Sequence, residues 1–372
     1  MPDNKQNAIL TLDAGGTSFV FSAIVDNREA VEPICCEAYP SDLGRCLDSM
    51  VASFKKVIDK LGYYPAAISF AFPGPADYLN GVIGDLPNFP AFRGGVALGP
   101  YLEEKFNIPV FINNDGNLFA YGEAIAGALP ELNGELAGLG NPKQYKNMLA
   151  VTLGTGFGGG VVIDGELLRG DNGCGGDVWL SANKLDNSLI AEEGVSIRAV
   201  KRVYRELSGD NSELTPKDIF DIAEGERDGD REAAVASFER LGEVAGFTIS
   251  ESLNIVDGIV VVGGGISKAS KYILPSMIRE MNGVRKMVTG EVFPRLQMKA
   301  YNLEDENERA LFMKDDSKTV TVPGSDKTVL YHQTKKIGVM VSRLGTSRAI
   351  AFGAYNFALN ELNNNSTKIN NR

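Results

Sequence analysis

Apolar and polar positions change rhythm along the chain, and each change marks an element. Residues 8–27, AILTLDAGGTSFVFSAIVDN, place two β-rich apolar runs around a glycine turn, and residues 148–167, MLAVTLGTGFGGGVVIDGEL, repeat that plan. Both stretches predict strand, glycine turn, strand. Between them, AAISFAFPGPA (66–76) reads as a buried strand running into a Pro-Gly turn, and NIPVFINNDGN (107–117) as another strand. LFAYGEAIAGA (118–128) follows with helical spacing and small residues. From Ser188 to Leu253 the pattern is helix-rich; it returns to a strand and glycine turn at DGIVVVGGGIS (257–267), then to a helix through Ile278. Alternating strands and helices predict α/β architecture. The stretch 302–333 breaks the rhythm: it is acidic, then DDSKTVTVPGSDKTVLYHQ, and reads as a β-hairpin insertion turning at Pro323-Gly324. The polar tail NELNNNSTKINNR is expected to fray.

A strand–turn–strand unit used twice suggests two similar domains, and 372 residues suffice for two cores. The expected division is 1–118, completed by a C-terminal helix near 345–362, and 119–344 with the insertion near 302–333. A net charge of -11 argues against a nucleic-acid partner, because phosphate backbones need a basic face. No apolar run is long enough to span a bilayer, so no membrane association is expected. The acidic, polar start lacks the basic and apolar regions of a signal peptide. Cys35, Cys36, Cys46 and Cys174 form neither a CxxC pair nor a disulfide framework, which fits reduced thiols in a cytoplasm. His332 is the sole histidine, which excludes histidine metal clusters and leaves a carboxylate as the candidate general base.

Three glycine clusters each follow a buried strand: DAGGT (13–17), GTGFGGG (154–160) and GGG (263–265). One alone is adequately explained as a tight turn. Three in this setting point to backbone N–H groups cradling an anion. None is a Walker A loop or a GxGxxG fingerprint. Asp13, just before the first turn, suits Mg²⁺, which takes few protein carboxylates and keeps most of its waters; the plainer reading is a turn-stabilising residue. FINNDGNLFA (111–120) poses the same choice. Asp115 or Asn114 could simply cap the following helix, or Asp115 could be a base placed at a strand end.

LDAGGT, FAFPGPA, DLPNFPAFRG, INNDGN, VTLGTGFGGGVVIDGELLRG, GCGGDVW and IVVVGGGIS, in that order, resemble the ROK family (repressors, open reading frames and sugar kinases) of the actin-like ATPase superfamily. The resemblance runs from Ile9 to Ile278 and takes in the last helix. It implies two actin-like, ribonuclease H-like domains facing each other across a cleft for Mg-ATP and sugar, and commonly a homodimer. By resemblance, Asp115 matches the catalytic base and Asn114 a sugar ligand. Gly15, Gly16, Thr17, Thr155 and Gly156 match phosphate loops, and Gly264 and Gly265 the nucleotide-side loop. Asn88, Asp177 and Glu192 match sugar-binding positions, with Asp177 standing where the family usually has Glu. Asp13 would hold Mg²⁺ through water.

Two departures stand out. Leu180 replaces the signature histidine, and NKLDNSLIAEE occupies the place of the zinc-binding cysteines, so no zinc is expected. Leu180 removes a hydrogen-bond donor to the sugar, which argues for a substrate other than glucose, with an apolar or acetamido group against Trp179. The implied activity is phosphoryl transfer from ATP to a hexose or N-acetylated hexosamine. A catalytically silent sugar sensor is the alternative; a transcriptional repressor fits less well, since only a dozen residues precede Asp13.

Overall fold

The computed structural model describes residues 7–14, 18–74, 76–85 and 89–370. Two compact units divide the chain: 1–127 with 166–176 and 344–372, and 128–165 with 177–343. The first begins with β1 (Ile9–Ala14), β2 (Ser18–Val25), β3 (Arg28–Glu29), β4 (Ile34–Glu37), α1 (Leu43–Leu61) and β5 (Ala67–Ala71). The short ribbon β6 (Ala76–Asp77) and β7 (Val82–Ile83) follows, then α2 (Leu98–Phe106), β8 (Val110–Asn113) and α3 (Asp115–Ala126). Its sheet runs β3-β2-β1-β5-β8, with β4 also on β2. β1 is antiparallel to β2 and parallel to β5, which is parallel to β8. Helix α1 shows the local logic. Asp42 caps it by accepting from the Arg45 N–H, Gly62 ends it at φ 77°, and Cys46, Met50, Ser53, Phe54 and Val57 make its buried stripe.

The second unit holds α4 (Ala128–Gly138), β9 (Met148–Leu153) and β10 (Phe157–Ile163); β11 (Glu166–Leu167) lies in the 166–176 segment of the first. The second then continues with α5 (Ile197–Ser208), α6 (Pro216–Glu224), α7 (Arg231–Val256), β12 (Ile259–Gly263), α8 (Ser270–Met281), β13 (Val284–Lys286), β14 (Val292–Pro294) and β15 (Lys299–Asn302). It ends with α9 (Glu306–Met313), β16 (Ser317–Thr321), β17 (Thr328–His332) and β18 (Lys336–Val341). Within it β10, β9, β12, β18 and β15 lie side by side in that order. β10 is antiparallel to β9, and the remaining neighbours are parallel. Each unit therefore has an antiparallel hairpin extended by parallel strands on one side. This is the twofold actin-like α/β plan expected from the repeated strand–turn–strand segments.

The cores differ in chemistry. The first is aromatic, with Phe19, Phe21, Phe54, Phe70, Phe72, Phe89 and Phe92 fully enclosed and Phe21 meeting Phe54 edge-on at 4.8 Å. The second is mainly aliphatic, built on β9, β12, α7 and α8. The final helix, α10 (Thr346–Asn370), belongs to the first unit and packs along α3. Their contact is backbone against backbone. A Cβ at Gly122 would overlap the carbonyl oxygen of Ala349, and one at Gly353 that of Leu118.

That packing keeps α3 with the first unit, so the unit extends to Gly127, past the sequence boundary at 118. Two expectations are corrected. The polar tail from Asn360 continues α10 as far as Asn370. The insertion is a hairpin only in its second half: β16 and β17 pair, but 306–313 forms α9. Asp305 caps that helix through the Asn307 and Glu308 N–H groups, and Phe312 and Met313 are buried, which holds the acidic stretch helical.

Candidate active site

In the first unit the parallel register sets Asp13, Ala71 and Asn113 abreast at the carboxyl ends of β1, β5 and β8. Strand ends of this kind are where open α/β sheets bind ligands. Asn113 is buried; its Oδ1 accepts from the Asn114 N–H at 2.8 Å and from Asn117 Nδ2 at 3.2 Å. Asn114 is the cap of α3, accepting from the Gly116 N–H at 2.7 Å. Its Nδ2 lies 3.5 Å from the Tyr78 hydroxyl, which donates to the Phe72 carbonyl at 3.0 Å.

Asp115 is thereby released from capping. Its Oδ1 accepts from the Gly116 N–H at 2.9 Å. The residue reaches solvent, yet protein around the carboxyl excludes enough water to raise its pKa. Burial is the main cause, the N–H groups of Gly116 and of Asp115 itself oppose it, and the negative charge of Asp13 adds to it. Asp13 is likewise pushed up by burial, partly offset by a hydrogen bond from Ser347 at the start of α10. Two interacting carboxylates with raised pKa values at strand ends make this a candidate functional site. Gly15, Gly16, Thr17 and Asn88 lie outside the described residues.

In the second unit Gly263 pairs with Thr152, which places the turns after β9 and β12 side by side. The first closes through Gly154 N–H to the Gly156 carbonyl at 3.0 Å, with Thr155 exposed at its tip. Gly264 has φ 88°, and a Cβ there would overlap the Leu153 carbonyl oxygen, so only glycine fits. A Cβ on Gly265 would meet nothing within 4 Å. Glu192 braces the first turn: Oε2 accepts from the Phe157 N–H at 3.0 Å, and Oε1 pairs with Arg198 at 3.1 Å. Asp177 is exposed and accepts from the Trp179 indole; burial of its carboxyl raises its pKa and that bond opposes it. Trp179 packs against the second core, while Leu180 is 55% exposed. Trp179 is thus partly buried, with one side on the core.

Sequence reasoning missed Tyr78, Ser347 and Arg198. Ser347 has no local signal, because its partner Asp13 is more than three hundred residues away in the chain. Among the described residues no group of three or more His, Cys, Asp or Glu side chains is placed to hold a metal ion. No described helix is long and apolar enough to cross a membrane.

Each unit thus ends its strands in groups of a different kind, carboxylates in the first and glycine turns in the second. The ROK family model matches residues 9–302, and the chain belongs to that family. A crystal structure of glucokinase from Parabacteroides distasonis is 56% identical, covers 97% of this chain and 99% of its own, and superposes with a TM-score of 0.88. A glucokinase from Thermotoga maritima is 28% identical over 73% of this chain and 89% of its own length. An N-acetyl-D-glucosamine kinase from Photobacterium profundum is 28% identical over 76% and 97%.

Proposed function

We propose that this chain is an ATP-dependent sugar kinase that transfers the γ-phosphoryl group of Mg-ATP to a hydroxyl of a hexose or an N-acetylated hexosamine. The observation that carries the reading is Asp115, freed from capping by Asn114 at the sheet ends, with the negative charge of Asp13 acting on its carboxyl. The sugar oxygen forms a bond to the γ-phosphorus, the bond from that phosphorus to the bridging oxygen breaks, ADP leaves, and the hydroxyl proton passes to Asp115. In a loose transition state the proton moves late, so a carboxylate is basic enough and positioning does most of the work.

Asn114 orients a sugar hydroxyl through its amide. Asp177, Glu192 and Asn88 are the further sugar contacts, with Glu192 also bracing the turn it touches. Thr155, Gly156, Gly264 and Gly265, with Gly15, Gly16 and Thr17, receive the nucleotide and its phosphates. Asp13 is a hard oxygen donor at a strand end and fits Mg²⁺ through water. When bound, Mg²⁺ neutralises phosphate charge; no zinc is required. The working form is a cytoplasmic homodimer.

Leu180 argues against glucose; because relatives are named glucokinase and N-acetyl-D-glucosamine kinase, we put both sugars first in the substrate panel. The deciding experiment incubates the protein with Mg-ATP and each sugar and measures ADP release, alongside calorimetric sugar binding. Release with one or more of these sugars supports the kinase. Tight binding without ATP consumption would instead support a silent sensor, the reading that Leu180 favours.

A further inference from the structure

β16 and β17 form a two-stranded ribbon that joins no third strand among the described residues. Its base is held, since Ser317 donates through its N–H and hydroxyl to Asp315, and Asp316 bonds Thr334. Beyond that, side chains on both faces are exposed: Val320 44%, Val329 55%, Leu330 54% and Tyr331 52%. A lone ribbon is marginally stable in water, and an open apolar edge is a template for another strand.

The register shows which groups are open. The Val322 N–H donates to the Lys327 carbonyl at 2.8 Å, and pairing continues as Val320 with Val329 and Lys318 with Tyr331. Hydrogen-bonded and non-hydrogen-bonded pairs alternate along an antiparallel ladder. Val329 and Tyr331 therefore spend their backbone groups on β16, while Thr328, Leu330 and His332 turn theirs outward. These three are spaced symmetrically about Leu330, so the edge is complementary to itself under a two-fold rotation.

We propose that β17 pairs antiparallel with β17 of a second copy of this chain, with the two-fold axis at Leu330. Leu330 then exchanges both backbone hydrogen bonds with the partner's Leu330, and Thr328 with the partner's His332. Val329 faces the partner's Tyr331, a favourable β-branched–aromatic pair. No ion pair or like-charge contact is needed within the strand. The neighbouring ribbon β13–β14 is equally exposed at Val284, Val292 and Phe293, but its edges are unsuitable. Arg285, central in β13, would meet its own copy, and Pro294 in β14 has no N–H.

The inference adds a contact surface to the homodimer reading and is independent of the kinase chemistry. A five-residue strand pair alone falls short of the ~1,000 Å² typical of a stable interface, so dimerisation should depend on concentration. The test is sedimentation velocity of the full chain from low to high micromolar concentration, on wild type, L330K and L330P. L330K puts like charges at the axis; L330P removes an outward N–H and leaves the β16 pairing groups intact. The expected result is a monomer–dimer equilibrium weakened about fivefold or more by either change, with ADP release unchanged as a check on folding. A wild type monomeric throughout would overturn the proposal. A dimer insensitive to L330K would overturn the hairpin contact while leaving the homodimer standing.

Discussion

The two units open on the same phrase and part at its third residue: Thr11-Leu12-Asp13 in the first, Thr152-Leu153-Gly154 in the second. Both phrases end the lead strand of a hairpin, and both sit beside the end of a parallel neighbour. The first unit places carboxylates there, Asp13 and Asp115, with raised pKa values. The second places neutral turns, Gly154 to Gly156 with one threonine at the tip and the all-glycine Gly263 to Gly265. One scaffold thus yields two chemistries. A carboxylate can take a proton or face a cation, whereas a turn for phosphate is better served by N–H groups without a competing negative charge. The pairing partner of the strand is shared; the side chain at its end is not.

The largest effect should come from removing the acid chemistry of the first unit while keeping its shape. Asp115→Asn is expected to lower kcat by about 10²-fold or more, with little change in sugar affinity by calorimetry, because an amide still hydrogen-bonds a hydroxyl. Equal turnover in variant and wild type would remove Asp115 as the base. Next is the support beneath that carboxylate. Gly353→Ala would drive a Cβ into the Leu118 carbonyl and push α10 off α3. Overpacking of this kind costs about 1–3 kcal/mol, visible as a lowered denaturation midpoint. A stability equal to wild type would show that the helix contact is looser than described.

The second unit's turns should separate from one another. Gly264→Ala is strained both by φ 88° and by the Leu153 carbonyl, whereas Gly265→Ala meets open space. The former should cost about 1–3 kcal/mol of stability and raise the KM for ATP; the latter should fold normally. Similar melting temperatures for the two would contradict this account of Gly264.

The smallest effect sharpens the electrostatic side of the comparison. Asp115 titrates above the ordinary carboxylate value, so the acid limb of kcat/KM should lie above ~3.9, the unperturbed Asp pKa. Turnover falls as pH drops through that limb because the base becomes protonated. Asp13→Asn removes a neighbouring negative charge and should move the limb downward, even where overall activity is reduced. An upward move would reverse the assigned sign. For stability the sign is opposite in sense. A raised folded pKa favours the native state at low pH and loses that contribution as pH rises through it. Asp115→Asn should therefore gain stability relative to wild type between acid and neutral pH, which denaturant melts at both values would measure.

The strands, the glycine turns after β9 and β12 and the doubled plan were legible in the chain, because period-two apolar runs and glycine clusters are local signals. So was the candidate set at 113–117, since a carboxylate among three amides at a strand end is visible without a fold. Locality also bounded the reading. Whether Asn114 or Asp115 caps α3 depends on backbone angles, and only the folded chain assigns the cap to Asn114. The acidic run at 304–308 reads as polar insertion until Asp305 is seen capping and Phe312 is seen buried. Most of all, the bond between Ser347 and Asp13, the passage of α10 along α3, and the bracing of Phe157 by Glu192 join residues distant in sequence. The sequence by itself determined which groups stand at the strand ends. Tertiary structure decided which of them are engaged by neighbours and which are left to act, because that depends on contacts made only when remote segments pack.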